Sequence, residues 1–260
     1  MSAVDPLASS AESAADWRGR FTLRGSAWVV WREHRAWFRF WIVCSIAMTG
    51  YLVYWHLRYQ ATFIELTDPG PYASVGLPPD IGLTAAAVLL TIAPAVAGVT
   101  FGAPLFEREY TQGTARLVRT QSVSDIAWVR AKLGVPAMIL VACVTPCAAA
   151  FSWDLQVDFA MRQNWRGIGV FDAIGPAAVA FCLVGLFLGA AAGLTWRRGG
   201  PSKILALALI LGFEAAVFRV LPHAPYSDLE LAQWFVTGIC VATCAALGFY
   251  CLRLIGHRRA

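Results

Sequence analysis

Residues 174–195 of this chain read IGPAAVAFCLVGLFLGAAAGLT, without a charged side chain. A helix rises roughly 1.5 Å per residue, so about 20 apolar residues cross the roughly 30 Å hydrocarbon core of a membrane. Gly185, Gly189 and Gly193 follow one another at every fourth position, a spacing that lets two membrane helices approach closely. The stretch therefore predicts a membrane-spanning helix with a narrow packing face. The spacing leaves open whether that face meets another helix of the chain or a second subunit.

Five further segments are long and apolar enough to cross a membrane: Phe40–Leu57, Ile81–Gly102, Leu133–Trp153, Ile204–Leu221 and Leu231–Leu254. The 260 residues are 58% hydrophobic and 14% charged, whereas a globular domain carries about 25% charged residues. These values predict an all-α, polytopic membrane protein with six transmembrane helices. Residues 1–25 have no apolar core and are expected to form a cytosolic tail before a six-span domain at 26–260.

The basic residues indicate the orientation of the spans. Of 21 lysines and arginines, 17 lie before the first span, between spans two and three, between spans four and five, or in the C-terminal end from Arg253 onward. The three opposite loops carry only Arg58, Arg162 and Arg166. Because loops rich in Lys and Arg stay in the cytoplasm, the chain is predicted to lie in the inner (plasma) membrane with both termini cytoplasmic. The net charge of +5 then reflects topology, and no nucleic-acid partner is expected.

Residues 26–41 are predicted to form an interfacial elbow helix in front of the first span. Arg32, Arg35 and Arg39 share one side of a helical wheel, and the other side is rich in Trp and Phe. Such a helix lies flat among the lipid headgroups. An ordinary basic flank of the first span explains the arginines equally well.

The segment between spans two and three has more specific features than the other loops. Pro104 is suited to open a helix, Gly113 to close it, and Thr114 to cap a second short helix. A plain connector in a compact bundle needs about two to eight residues. We therefore expect a structured cytosolic helix, turn and helix.

This segment resembles small permease subunits of ABC-2-type exporters, most of all a group common in actinobacteria. The resemblance rests on Phe106-Glu107-Arg108-Glu109, Gly113-Thr114, Leu117, Thr120-Gln121-Ser122 and Trp128 to Gly134. Trp31-Arg32-Glu33-His34-Arg35 before the first span, Val170-Phe171-Asp172 before the fourth and Arg197-Arg198 after it are also similar.

The resemblance implies that the chain is the membrane subunit of an ATP-driven exporter. Its partners would be a separate ABC ATPase, a second permease copy and the lipid bilayer, with ATP and Mg on the ATPase and no cofactor on this chain. The segment between spans two and three would be the coupling helix. The residues it implies for ATPase coupling are Phe106, Glu107, Arg108, Glu109, Gly113, Thr114, Arg116 and Gln121. The alternative is that these charges only solvate a cytosolic loop.

Nothing in the sequence indicates that this chain hydrolyses ATP itself. A phosphate-binding loop needs Gly-x-x-x-x-Gly-Lys-Ser/Thr, and residues 199–203, Gly-Gly-Pro-Ser-Lys, have the wrong order. His34, His56, His223 and His257 lie at different span ends, so their spacing predicts no metal cluster. We therefore predict no enzymatic activity and no metal.

Glu214, Arg219 and Pro94 are the candidate residues of a translocation path. A charge at the centre of a membrane helix costs about 2.5–3.5 kcal/mol on insertion scales, so Glu214 and Arg219 are expected to face protein, water or each other. Pro94 kinks the second span. Alternatively, Arg219 reaches the headgroups and Glu214 hydrogen-bonds a neighbouring helix.

Few polar groups line the spans, which favours a hydrophobic or amphipathic cargo. The sequence therefore predicts a permease that couples a separate ATPase to export of such a substrate. A non-transporting membrane anchor or accessory subunit is the alternative. An intramembrane enzyme is disfavoured because the spans hold too few convergent polar groups.

Overall fold

The computed structural model describes the backbone of residues 6–65, 81–111, 125–157, 170–196, 199–220 and 229–257. Within these ranges it describes the surroundings of the side chains at 27–58, 82–107, 126–156, 170–196, 200–217, 219 and 229–255. Every regular element in the described ranges is helical, as the sequence predicts.

The helices follow one another in chain order with one wider π-helical turn. They are α1 Pro6–Glu65, α2 Ile81–Ala97, the π segment Gly98–Gly102, α3 Ala103–Thr111, α4 Asp125–Val157, α5 Val170–Ala173, α6 Gly175–Thr195, α7 Gly199–Val220 and α8 Leu229–His257.

Six stretches of these helices are long and apolar enough to cross a membrane, which confirms the predicted number. They are Ala27–Arg58, Gly82–Glu107, Ile126–Gln156, Gly175–Thr195, Gly200–Val217 and Leu229–Ile255. Each overlaps one predicted span, and most extend beyond it. The chain is therefore an all-α, multi-pass membrane protein.

Helix α6 lies at the centre of the bundle. In its most apolar 18-residue stretch, 78% of the residues are buried, whereas the corresponding stretches of α1 and α8 are 17% buried. It contacts α2, the π segment, α3, α4, α7 and α8. A helix that is apolar on all sides is expected inside a bundle, and 174–195 has that composition.

The glycine face of α6 packs against the helix run from α2 to α3 of the same chain. Gly185 lies against the backbone of Pro94, Gly189 against Gly98 and Gly102, and Gly193 against Ala103. A methyl group added to Gly98 would lie 2.7 Å from the carbonyl oxygen of Gly185. The two backbones thus touch directly, which answers the question that the sequence left open.

The second span does not end at Gly102 as predicted but continues as helix to Thr111. Ala103 donates its backbone N–H to the carbonyl of Gly98, five residues earlier, which is a π-helical bond. Pro104 has no N–H, and its ring would clash with the carbonyl of Thr100 in a regular α-helix. The wider turn before Pro104 accommodates the ring, so α3 extends the second span instead of starting a separate loop helix.

Helix α1 is also longer than expected, because residues 26–41 continue directly into the first span. The separate elbow helix predicted there is not present as a distinct element. Val30, His34, Phe38 and Trp41 form its buried face, and the Phe38 and Phe101 rings stack 5.4 Å apart. Residues 26–41 therefore pack into the bundle through their contact with the π segment.

The glycine contact predicts a specific sensitivity to small side chains. Gly189→Ala places a Cβ against backbone atoms of the π segment, and such overpacking costs about 1–3 kcal/mol. We expect a lower midpoint of thermal unfolding for the purified protein in detergent. Gly212→Ala on α7 is the matched control, since its added Cβ meets nothing within 4 Å. An equal effect of both changes would contradict this packing.

Candidate functional site

The first turns of α3 are buried among other helices of the bundle. The side chain of Phe106 is 0% exposed, and its ring meets that of Trp128 on α4 edge to face, with centroids 5.4 Å apart. Leu105 is buried in the same core cluster. The aromatic contact therefore joins α3 to the start of α4.

Lys132 on α4 adds a buried cation to this contact. Only 3% of Lys132 is exposed, and its Nζ donates a hydrogen bond of 2.6 Å to the carbonyl oxygen of Leu105. The same Nζ lies 4.8 Å from the Trp128 ring centroid and 5.6 Å from that of Phe106, within cation–π range. Lys132 thus binds α3 through both its charge and its N–H donors.

Glu107 joins α3 to the first turn of α7. Ser202, which is 0% exposed, donates its hydroxyl to Oε2 of Glu107 at 2.8 Å, and Glu107 is itself 9% exposed. Ser202 belongs to the Gly-Gly-Pro-Ser-Lys segment that only superficially resembles a phosphate loop. Its observed contact is structural, a hydrogen bond between two spans. We name the contacts of Leu105, Phe106 and Glu107 with Trp128, Lys132 and Ser202 the α3 clasp.

The structure describes less of the other residues expected to couple an ATPase. Arg108 and Glu109 belong to helix α3 and follow its buried first turns. Gly113, Thr114, Arg116 and Gln121 lie outside the described residues. Of the eight expected residues, Phe106 and Glu107 are thus the two whose surroundings are known, and both face the interior of the bundle.

The three expected path residues occupy different environments. Pro94 is buried in α2 against the glycine face of α6. Arg219 is exposed near the end of α7. Glu214 is half-buried on α7, and its Oε1 has no hydrogen-bond partner in the described part of the chain. Pro94 therefore has a packing position, whereas Glu214 presents an unsatisfied polar atom inside the bundle.

An apolar groove of about 390 Å³ opens between three spans. Its walls are α1, α2 and α4, with Trp41, Met48, Leu90, Val144 and Cys147 among the lining residues. Ser45 at its edge donates a hydrogen bond of 2.6 Å to the carbonyl of Cys143, so little free polar capacity remains. The groove suits an apolar molecule or a lipid chain.

No sequence pattern predicted the buried pair near the C-terminal ends of α1 and α4. His56 Nδ1 lies 3.0 Å from Oδ1 of Asp154, and both side chains are buried. The His56 ring stacks on Trp153 at 3.7 Å. His56 and Asp154 are 98 residues apart, so no local spacing could have revealed the contact.

Comparison with known proteins places this architecture in a family. Residues 72–221 match the family described as ABC-2 membrane transporter related. This chain belongs to that family. The match covers α2 to α7, including the glycine contact and the α3 clasp. No curated protein and no solved structure matches the chain.

Membership in the ABC-2 related family identifies the chain as a transporter permease subunit of the membrane. The family implies an ABC transporter system with a partner ATPase. Such permeases are typically non-enzymatic. The described residues, for their part, hold no group of three His, Cys, Asp or Glu side chains suited to a metal ion.

The α3 clasp of this ABC-2 related permease predicts an energetic coupling between Glu107 and Ser202. Changing either side chain to Ala removes the hydrogen bond between them inside the bundle, at a cost of about 1–3 kcal/mol. Because both changes remove the same hydrogen bond, the double variant should lose about 0.5–3 kcal/mol less than the sum of the single losses. Thermal or denaturant unfolding in detergent measures the difference.

Ser202→Ala combined with Thr91→Ala is the control pair. Thr91 donates only to the carbonyl of Ala87 within its own helix, so these two losses should add. Additive losses for Glu107 and Ser202 would show that the clasp contributes no coupling.

Proposed function

We propose that this chain is the membrane subunit of an ATP-driven exporter and that a separate ABC ATPase acts on α3 and the residues after it. The ATPase binds ATP and Mg, and this chain binds no cofactor. The observation that carries the proposal is the unbroken helix from α2 through the π segment into α3. A force applied to α3 then acts directly on a membrane span, because no flexible loop lies between them.

The α3 clasp gives such a force two further routes. Lys132 connects α3 to α4, and Ser202 connects it to α7. The glycine contact connects the same helix run to the centre of α6. A rotation of α3 would therefore shift α2, α4, α6 and α7 together rather than α2 alone.

We assign the ATPase contact to the part of the segment that follows the buried turn. Arg108 and Glu109 come next on α3, and Gly113, Thr114, Arg116 and Gln121 follow in the chain. Arg and Glu form charge-assisted hydrogen bonds with opposite charges on a partner. Phe106 and Glu107, which are buried, are assigned a different role in the same process: they transmit the movement into the bundle.

We further propose two permease copies in the inner membrane, with both termini in the cytoplasm. The unequal distribution of Lys and Arg supports this orientation. Only 17% of the most apolar stretch of α1 and of α8 is buried, which leaves apolar surface for lipid and for a second copy. The groove between α1, α2 and α4 supports a hydrophobic or amphipathic cargo.

The coupling assignment predicts a loss of ATPase binding when the C-terminal part of α3 is changed. We expect Arg108→Ala with Glu109→Ala to weaken binding of the co-purifying ATPase about tenfold, a difference of about 1.4 kcal/mol, and to lower stimulated ATP turnover. The midpoint of thermal unfolding of the permease alone should stay unchanged. Pull-down titration and ATP turnover in proteoliposomes provide the measurements.

Glu230→Ala is the matched control, because this exposed acidic residue lies at the start of α8, remote in sequence from α3. It should leave ATPase binding intact. If the wild-type chain retains no ATPase on purification, or if the α3 double variant binds as well as wild type, the coupling proposal is wrong. The first of these outcomes would favour an anchor or accessory role.

A further inference from the structure

Three polar side chains near one end of the bundle have buried atoms without a hydrogen-bond partner among the described residues, in contrast to those of the α3 clasp. Asp172 on α5 is 3% exposed, and neither of its carboxylate oxygens has a hydrogen-bond partner among the described residues. Helix α5 precedes the candidate span Gly175–Thr195, so Asp172 lies just before the N-terminus of α6. A buried carboxylate without a donor is costly when ionised.

Glu214 on α7 brings a second carboxyl group close to the first. Its Oε1 is buried and unpartnered in the described part of the chain. Phe171 next to Asp172, Val217 three residues after Glu214, and Cys240 on α8 lie in one buried cluster. The two carboxyl groups are therefore close enough for their negative charges to repel each other. Two like charges in one apolar region cannot both remain ionised cheaply.

Gln233 on α8 places its amide beside Gly175, three residues after Asp172. It is 7% exposed, and its Nε2 has no partner within the described helices. Its Oε1 lies against Gly175, where an added Cβ would be 2.6 Å away. Gly175 has a φ of 54°, which an L side chain rarely adopts, so glycine here both permits the turn into α6 and leaves space for the amide.

The surroundings offer these groups little compensation. Phe171 and Cys240 are 0% exposed, and Val236 is 1% exposed, so the immediate packing is apolar. Burial raises the pKa of Asp172 from 3.8 to about 7. The other described titratable groups on α1, α4, α6, α7 and α8 toward this end are Tyr54, His56, Arg58, Cys147, Asp154, Cys182, Arg219, Glu230, Cys240 and Cys244.

We propose that Asp172 and Glu214 form a buried proton-binding site with the Gln233 amide beside them. A hydronium ion transfers its proton to one carboxylate oxygen: an O–H bond of hydronium breaks, one to the carboxylate forms, water is left, and one negative charge remains in place of two. The protonated group becomes a donor, and the other carboxylate remains an acceptor. A metal ion is a poorer occupant, because the described residues hold no group of three ligands for one.

This site links protonation to the packing of four helices. The proton is held while α7 and α8 pack against α5 and α6, and it is released when water reaches the carboxylates. The inference does not depend on an ATPase partner, so it stands or falls separately from the proposed coupling.

The test is the pH dependence of unfolding of the full chain in detergent. Because the pKa of Asp172 is raised on folding, the folded state binds one proton more than the unfolded state between about pH 4 and pH 7. Stability should therefore fall as pH rises through this range, with the unfolding constant increasing up to about tenfold per pH unit, and level off above it. Asp172→Asn and Glu214→Gln should each make this dependence shallower.

Two controls isolate the pair from its neighbours. Glu230→Gln changes an exposed acid on α8 and should keep the wild-type profile. His56→Gln removes the other pair at this end, and Asp172→Asn should flatten the profile in that background too. An unchanged profile in Asp172→Asn would overturn the proposal.

Infrared spectroscopy of the wild-type chain gives a second measurement that needs no variant to fold. The carbonyl band of a protonated carboxylic acid should be present at pH 6 and lost by pH 8.5. Absence of the band at pH 6 would overturn the proposal. So would stabilisation at pH 8.5 when choline is replaced by sodium, because the occupant would then be a metal cation.

Discussion

The structure depends on the backbone contact between the glycine face of α6 and the helix run from α2 to α3. Gly185, Gly189 and Gly193 have no Cβ, so the two backbones approach to a distance that other residues would prevent. The hydrophobic effect does not drive helices together within lipid, and close van der Waals packing takes its place. This contact puts α6 at the centre and sets where α3 leaves the bundle. The α3 clasp is possible only because α3 is already held beside α4 and α7.

The α3 clasp and the buried polar groups around Asp172 differ in their hydrogen bonding. In the α3 clasp, Lys132 and Glu107 have partners in Leu105 and Ser202. Around Asp172, the carboxylate oxygens lack such partners within the described residues. A satisfied polar network inside an apolar region makes helices move as a unit. An unsatisfied one has a cost that binding of a proton relieves. The clasp thus suits transmission of force, and the Asp172 group suits proton binding.

The number and place of the spans could be predicted because crossing a membrane is a matter of local composition and length. The coupling role of Phe106 and Glu107 stays a prediction. Their burial inside the bundle could not be predicted, because a polar segment after a span gives no indication that the helix simply continues. Lys132, Ser202 and the His56–Asp154 pair were missed as contacts. Their partners are distant in the chain, and no alternation or motif reports a contact across 95 or 98 residues.

Six apolar stretches in the sequence were enough to predict an all-α membrane protein with six spans, and the segment between spans two and three carried the likeness to ABC-2 permeases. Both follow from properties of short stretches: apolar length in one case and residue order in the other. The packing of the α6 glycines within the chain, the continuation of α2 into α3 and the proximity of Asp172 to Glu214 became evident in the folded chain. These are relations between residues brought together by packing, and the energy of a buried charge depends on what surrounds it rather than on its neighbours in the chain.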